Sequence, residues 1–174
     1  MGEPKNKTVL VVDDEEDVRK FLSAALTAAG FAVELACDGF EALAKVKKRR
    51  PDLISLDLVM PKRSGVKFYR DLSKNDEWSK IPIIIVTGHA RDDLGQADLK
   101  ELTMSGPGIY LEKPVKPANY VAAVKTILGM DTSPEEKERA ETVRLQNELK
   151  DLVDGMDSET LRRLRQIINK KETE

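Results

Sequence analysis

Four short apolar runs in this chain each end on residues that can take part in phosphoryl chemistry. TVLVV leads into Asp13-Asp14, LISL into Asp57, IPIIIV into Thr87 and IYLE into Lys113. If the runs are parallel strands of one sheet, their carboxyl ends share an edge, and the crevice there is where open α/β sheets bind ligands. Three carboxylates, a hydroxyl and an ammonium would then meet. Neighbouring carboxylates oppose one another's ionisation, and a divalent cation reverses that logic. Asp57 is the candidate nucleophile, able to form an acyl phosphate once charge on the transferred group is neutralised. Magnesium takes about six oxygen ligands, usually one or two carboxylates with water and substrate oxygens. Asp14 and Asp57 are the expected direct ligands, Asp13 binds directly or through water, and the backbone carbonyl of Val59 can complete the set. Lys113 places a point charge beside the phosphoryl oxygens, and Thr87 offers them a hydroxyl donor. The bond Lys113-Pro114 is one where a cis peptide is accessible.

Holding these residues at one edge requires strands that alternate with helices, and over its first 130 residues the chain shows that alternation. Strands are predicted at Thr8 to Asp13, Ala32 to Ala36, Leu53 to Asp57, Ile81 to Thr87 and Gly108 to Leu111. Helices are predicted at Glu16 to Ala29, Phe40 to Arg49, Gly65 to Lys74, about Asp92 to Met104, and Pro117 to Leu128. The first helix should bury Val18, Phe21, Leu22, Ala25 and Leu26 and stop at Gly30 in a left-handed cap. The stretch from Ala90 to Gly108 is long and polar and carries Gly95, Gly106 and Pro107, which makes its helix the weakest element of the set. Cys37, the single cysteine, excludes an intramolecular disulfide and reads as a small buried hydrophobe.

Taken together and in order, these residues resemble the receiver domain of two-component response regulators over about residues 7 to 129. The matching features are Asp13-Asp14, Asp57 opening Asp57-Leu58-Val59-Met60-Pro61, Gly65, Thr87-Gly88 and Lys113-Pro114, with Tyr110 at the family's aromatic switch position. The resemblance implies a five-stranded doubly wound parallel sheet of flavodoxin-like order 2-1-3-4-5. It implies that Asp57 accepts a phosphoryl group, with Mg²⁺, from a sensor histidine kinase or phosphotransfer protein. Thr87 would be drawn toward the phosphate and Tyr110 would turn inward, changing the face made by the Asp92 to Met104 helix, the fifth strand and the Pro117 to Leu128 helix. By the same likeness Val59 and His89 flank the path of hydrolytic water, and Val59 has no polar side chain to orient it, so self-dephosphorylation should be slow. The spacing from Thr87 to Lys113 is a few residues longer than the common receiver arrangement.

After Gly129 the pattern becomes all helical, giving an expected division into a receiver at 1–130 and a helical extension at 131–174. Ser133-Pro134-Glu135-Glu136 opens a helix with Ser133 as cap and Glu136 closing a capping box. Leu145, Leu149, Leu152 and Met156 follow at helical spacing. Gly155 interrupts the chain, and Asp157 or Ser158 caps a further helix carrying Leu161, Leu164 and Ile168. Such stripes suit a coiled coil or a helix lying back on the receiver, with a homodimer through residues 134–171 the favoured reading.

A net charge of -2 gives no basic field, and the tail is too short for an independent DNA-binding core, so a downstream protein partner is expected rather than nucleic acid. No run approaches the roughly 18 apolar residues of a membrane span, which points to the cytoplasm. A hydrolase would want an acid/base carboxylate where Val59 stands, so the chain reads as a signalling protein and not an enzyme. The remaining alternative is a constitutive binding module with the same fold.

Overall fold

The computed structural model describes residues 7–60, 64–88, 109–130, 133–154 and 156–171. The chain divides into two compact units, Met1–Ala140 and Glu141–Glu174.

The first unit holds β1 (Thr8–Val12), α1 (Glu16–Ala28), β2 (Ala32–Ala36), α2 (Gly39–Lys48), β3 (Leu53–Leu56), α3 (Gly65–Ser73), β4 (Ile83–Thr87), β5 (Ile109–Glu112) and α4 (Pro117–Ile127). The strands form one five-stranded parallel sheet in the order β2-β1-β3-β4-β5. The inner strands β1 and β3 are buried on both faces, which is why they read as nearly unbroken apolar runs rather than alternating ones. Leu10, Val12, Ile54, Leu56 and Ile85 turn to one face and pack with Ala42 and Val46 of α2 and Val66, Phe68 and Leu72 of α3. Their alternates Val9, Val11, Leu53, Ile84 and Val86 are equally buried and point to the opposite face. There α1 packs against α4.

Helix ends follow the local chemistry of the chain. Asp38 caps α2 by accepting from the N–H groups of Phe40 and Glu41, and Ser64 caps α3 by accepting from Lys67 N–H. Gly30 has a φ of 92° and follows α1: its N–H donates to Thr27 O and Phe31 N–H donates to Leu26 O, the paired bonds of a Schellman ending. Gly129, with a φ of 61°, ends α4 through the same pair of bonds, to Thr126 and Lys125. The helix expected at Asp92 to Met104 lies outside the described residues.

The extension is helical, with α5 at Pro134–Asp154 and α6 at Ser158–Lys171. The compact first unit runs beyond residue 130 and takes in the first turns of α5. Ser133 Oγ accepts from Glu136 N–H at 3.2 Å and Glu136 Oε2 accepts from Ser133 N–H at 3.0 Å, so the capping box is closed. Glu136 also takes a 2.6 Å hydrogen bond from Lys125 Nζ on α4. Asp157 caps α6, accepting from the N–H groups of Glu159 and Thr160. No helix among the described residues is long and apolar enough to cross a membrane.

Candidate functional site

The sheet ladder itself sets the site. Asp57 N–H donates to Val12 O at 2.9 Å, Asp13 N–H to Ala36 O at 3.1 Å and Lys113 N–H to Thr87 O at 3.1 Å, so each residue is held one step past its strand. Register then decides which side chains meet. Val12 pairs with both Ala36 and Leu56, and Thr87 pairs with Glu112, which brings the carboxyl ends of all five strands level.

At that edge one carboxylate oxygen each of Asp13, Asp14 and Asp57 lies within 4.8 Å of the others. Asp13 and Asp57 are only 1% and 4% exposed, whereas Asp14 reaches solvent. Lys113 Nζ sits 2.8 Å from Asp13 Oδ2, 2.9 Å from Asp57 Oδ2 and 3.0 Å from Glu15 Oε1. Burial pushes the Asp13 carboxyl above the usual carboxylate range, and the hydrogen bond and charge of Lys113 offset this only in part. For Lys113 burial pulls the other way, but the hydrogen bonds it donates to Asp13 and Asp57 outweigh it and hold the amine well above its ordinary value. One fixed cation against two buried anions, with Asp14 and Glu15 at the rim, leaves residual negative charge. A hard divalent cation with oxygen ligands fits that donor set.

Thr87, Val59 and Pro114 line the same crevice as Asp57 and Lys113. Thr87 is fully buried and its hydroxyl has no hydrogen-bond partner among the described residues; a buried hydroxyl left unmet is a standing cost that an incoming acceptor would remove. Val59 N–H donates to Asp57 Oδ1 at 3.0 Å, and its side chain faces outward. The Lys113-Pro114 bond is cis. Tyr110, on β5, is half-buried against the cluster shared by α2 and α3. His89 falls outside the described residues.

Several residues matter that periodicity did not single out. Gly65 N–H donates to Leu58 O, and a Cβ there would fall 2.0 Å from Asp57 O and 2.7 Å from Leu58 Cα. Only glycine lets α3 start so close beneath the backbone of Asp57 and Leu58. Arg19 Nη1 donates to the carbonyls of Asp13 at 2.7 Å and Asp14 at 2.9 Å, pinning the acidic loop from α1. Glu15 supplies the third acid on Lys113; its only signal in the sequence is its place directly after the acidic pair. Two burial expectations are corrected. Phe21 is exposed, lining with Val18, Pro114 and Val115 the crevice that opens onto Asp57 and Lys113. Cys37 is also exposed, one residue beyond β2, and Glu41 beside it pushes its thiol up from the ordinary value.

Residues 9–125 match the family model described as the response regulator receiver domain. The polar-differentiation response regulator DivK of Brucella anthropi is 31% identical over 123 residues, covering 71% of this chain and 97% of that protein. The phosphate regulon transcriptional regulatory protein PhoB of Pseudomonas aeruginosa is 35% identical over 122 residues, covering 70% of this chain and 52% of that protein. The chain thus spans about half the length of PhoB and nearly all of DivK. Among solved structures, the chemotaxis protein CheY4 of Vibrio cholerae aligns with a TM-score of 0.61 at 32% identity, covering 70% of this chain and 98% of that one. The receiver domain of the sensor histidine kinase PA1611 from Pseudomonas aeruginosa, solved with a magnesium ion coordinated in its active site cleft, aligns with a TM-score of 0.61 at 27% identity, covering 71% of this chain and 98% of that one. With its sheet order, its acidic edge and its matched span in agreement, the chain belongs to the response regulator receiver domain family.

Proposed function

We propose that Asp57 accepts a phosphoryl group from the phosphohistidine of a sensor kinase or phosphotransfer protein, and that the acyl phosphate controls association through the helical extension. The observation that carries this reading is Lys113 bridging two buried carboxylates beside the unmet hydroxyl of Thr87. A carboxylate oxygen of Asp57 forms the new bond to phosphorus while the phosphorus–nitrogen bond of the donor breaks. The departing electron pair stays on the imidazole nitrogen, which then takes a proton. Asp13, Asp14 and Asp57, with the carbonyl of Val59, are the residues that would hold a magnesium ion, which supplies charge neutralisation on the transferred group. Lys113 meets the phosphoryl oxygens as a second fixed cation. Thr87 donates its hydroxyl to them and so moves toward Asp57, and Tyr110 follows inward.

The crevice supports a protein donor. Its apolar wall of Val18, Phe21 and Val115 runs directly into the reactive edge, so a helical donor can dock there and present its histidine to Asp57. Phe21→Ser is expected to slow transfer from the kinase at least roughly tenfold, as loss of an aromatic anchor does, while a small phosphodonor labels both proteins alike. Val59 has no polar group to orient water, and slow loss of the phosphoryl group follows. Val59→Asn should accelerate that loss, and an unchanged rate would remove the idea. Beryllofluoride with magnesium tests the switch itself: a changed association state or changed protection of residues 134–171 supports it. No change would favour a constitutive binding module.

A further inference from the structure

Both helices of the extension expose leucines among their described residues. On α5, Leu145, Leu149 and Leu152 are 51%, 61% and 62% exposed, at helical steps of four and three. On α6, Leu161 is exposed as well, and the sequence continues its spacing at Leu164 and Ile168. Within one chain, then, the leucines described on these stripes, Leu145, Leu149, Leu152 and Leu161, are not covered by the other helix. The charges divide oppositely: α5 carries seven acids against four bases and α6 one acid against five bases. Pairing α5 with a second α5 would set acid against acid, and pairing α6 with a second α6 would set base against base. One chain therefore holds both halves of a complementary pair that it does not close on itself.

We propose that the occupant of the α5 stripe is α6 of a second copy of this chain, and that by two-fold symmetry the first copy's α6 covers the partner's α5. An isologous arrangement of this kind closes after two chains and buries both leucine stripes in a four-helix bundle. The acidic and basic flanks meet across it, which selects α5 against α6 over either like pair. Which face of the receiver responds to phosphorylation is immaterial to this contact. The proposal deepens the switching role suggested above by naming its partner.

Sedimentation equilibrium of the full chain, with and without beryllofluoride and magnesium, is expected to show a monomer–dimer equilibrium in at least one of the two states. A chain that stays monomeric in both overturns the proposal. A dimer indifferent to beryllofluoride would instead count against the phosphorylation switch alone. Two double variants assign the contact in the dimeric state. Leu149→Gln with Leu152→Gln keeps good helix formers and should weaken the dimer by roughly a hundredfold, while Arg162→Glu with Arg165→Glu should weaken it at least roughly tenfold. Mixed in equal amounts the two variants should associate more tightly than either alone, because the mixed pair keeps one intact α5–α6 contact. If the charge variant dimerises as tightly as the parent, or mixing recovers nothing, the α5–α6 pairing is wrong. Circular dichroism showing that both variants remain helical ties the result to the contact and not to unfolding.

Discussion

Lys113 stands between two carboxylates whose burial works against their charge, and it neutralises only one of them. Because burial holds the Asp13 carboxyl above its usual range even with Lys113 present, its ionisation at neutral pH opposes folding in the absence of metal. Asp13→Asn is therefore expected to raise the melting temperature in chelator, and to abolish the further rise that magnesium gives the parent protein. A lower melting temperature in chelator would show that Asp13 acts mainly as the partner of Lys113. Thr87 makes the complementary test. Its buried hydroxyl meets no partner among the described residues, so Thr87→Val should leave stability unchanged or raise it by about 1 kcal/mol by chemical denaturation. The same substitution should remove the response to beryllofluoride. Most of these residues were legible because each directly follows an apolar run, and strand ends in a parallel sheet are forced to one edge. Phe21 and Cys37 were misjudged for a shared reason. Both lie at the margin of an apolar pattern, where periodicity shows that a stripe exists but not which of its edges opens onto a crevice.

Elements deliver those residues through a few tight contacts. Gly65 allows α3 to begin against the backbone of Asp57 and Leu58, and a methyl group there would collide with main chain rather than with a movable side chain. Gly65→Ala should cost about 3 kcal/mol in a denaturant titration, at the upper end of overpacking effects. Phosphorylation by a small donor should slow with it, since the collision displaces the carbonyl of Asp57. The sequence marked Gly65 only as part of a family pattern, because close approach of two backbones leaves no periodic trace. The start of α5, by contrast, was fully legible as a capping box. What the sequence did not disclose is that Glu136 also binds Lys125 of α4, tying the first turn of the extension to the last turn of the receiver's closing helix. Lys125 and then Ser133 N–H hold the Glu136 carboxyl below its usual value. An acid depressed in the folded state stabilises fully above its unfolded pKa, near about 4.3, and loses that contribution as pH falls through the folded value. Glu136→Gln should flatten that acid limb, and Ser133→Ala should cost about 1 kcal/mol at neutral pH. An acid limb identical in parent and Glu136→Gln would place the linkage elsewhere.

At the scale of the whole molecule the chain has two compact units, Met1–Ala140 and Glu141–Glu174, and the acidic edge lies wholly within the first. The proposed covalent step belongs to the acidic edge, and the extension exposes Leu145, Leu149 and Leu152. DivK, matched over nearly its full length, shows that this fold is found with little appended to it, and PhoB, matched over about half, that it is also found in longer chains. This chain carries two charged amphipathic helices in that place, which is why its output is sought in protein association. All of this depends on Asp57 becoming a phosphoaspartate. Intact-mass and peptide mass spectrometry after incubation with a small phosphodonor and magnesium test that directly. The expected result is a single phosphoryl group on Asp57, lost on adding chelator before the donor and absent from Asp57→Asn. Incorporation that is indifferent to magnesium, or that survives unchanged in Asp57→Asn, would contradict it.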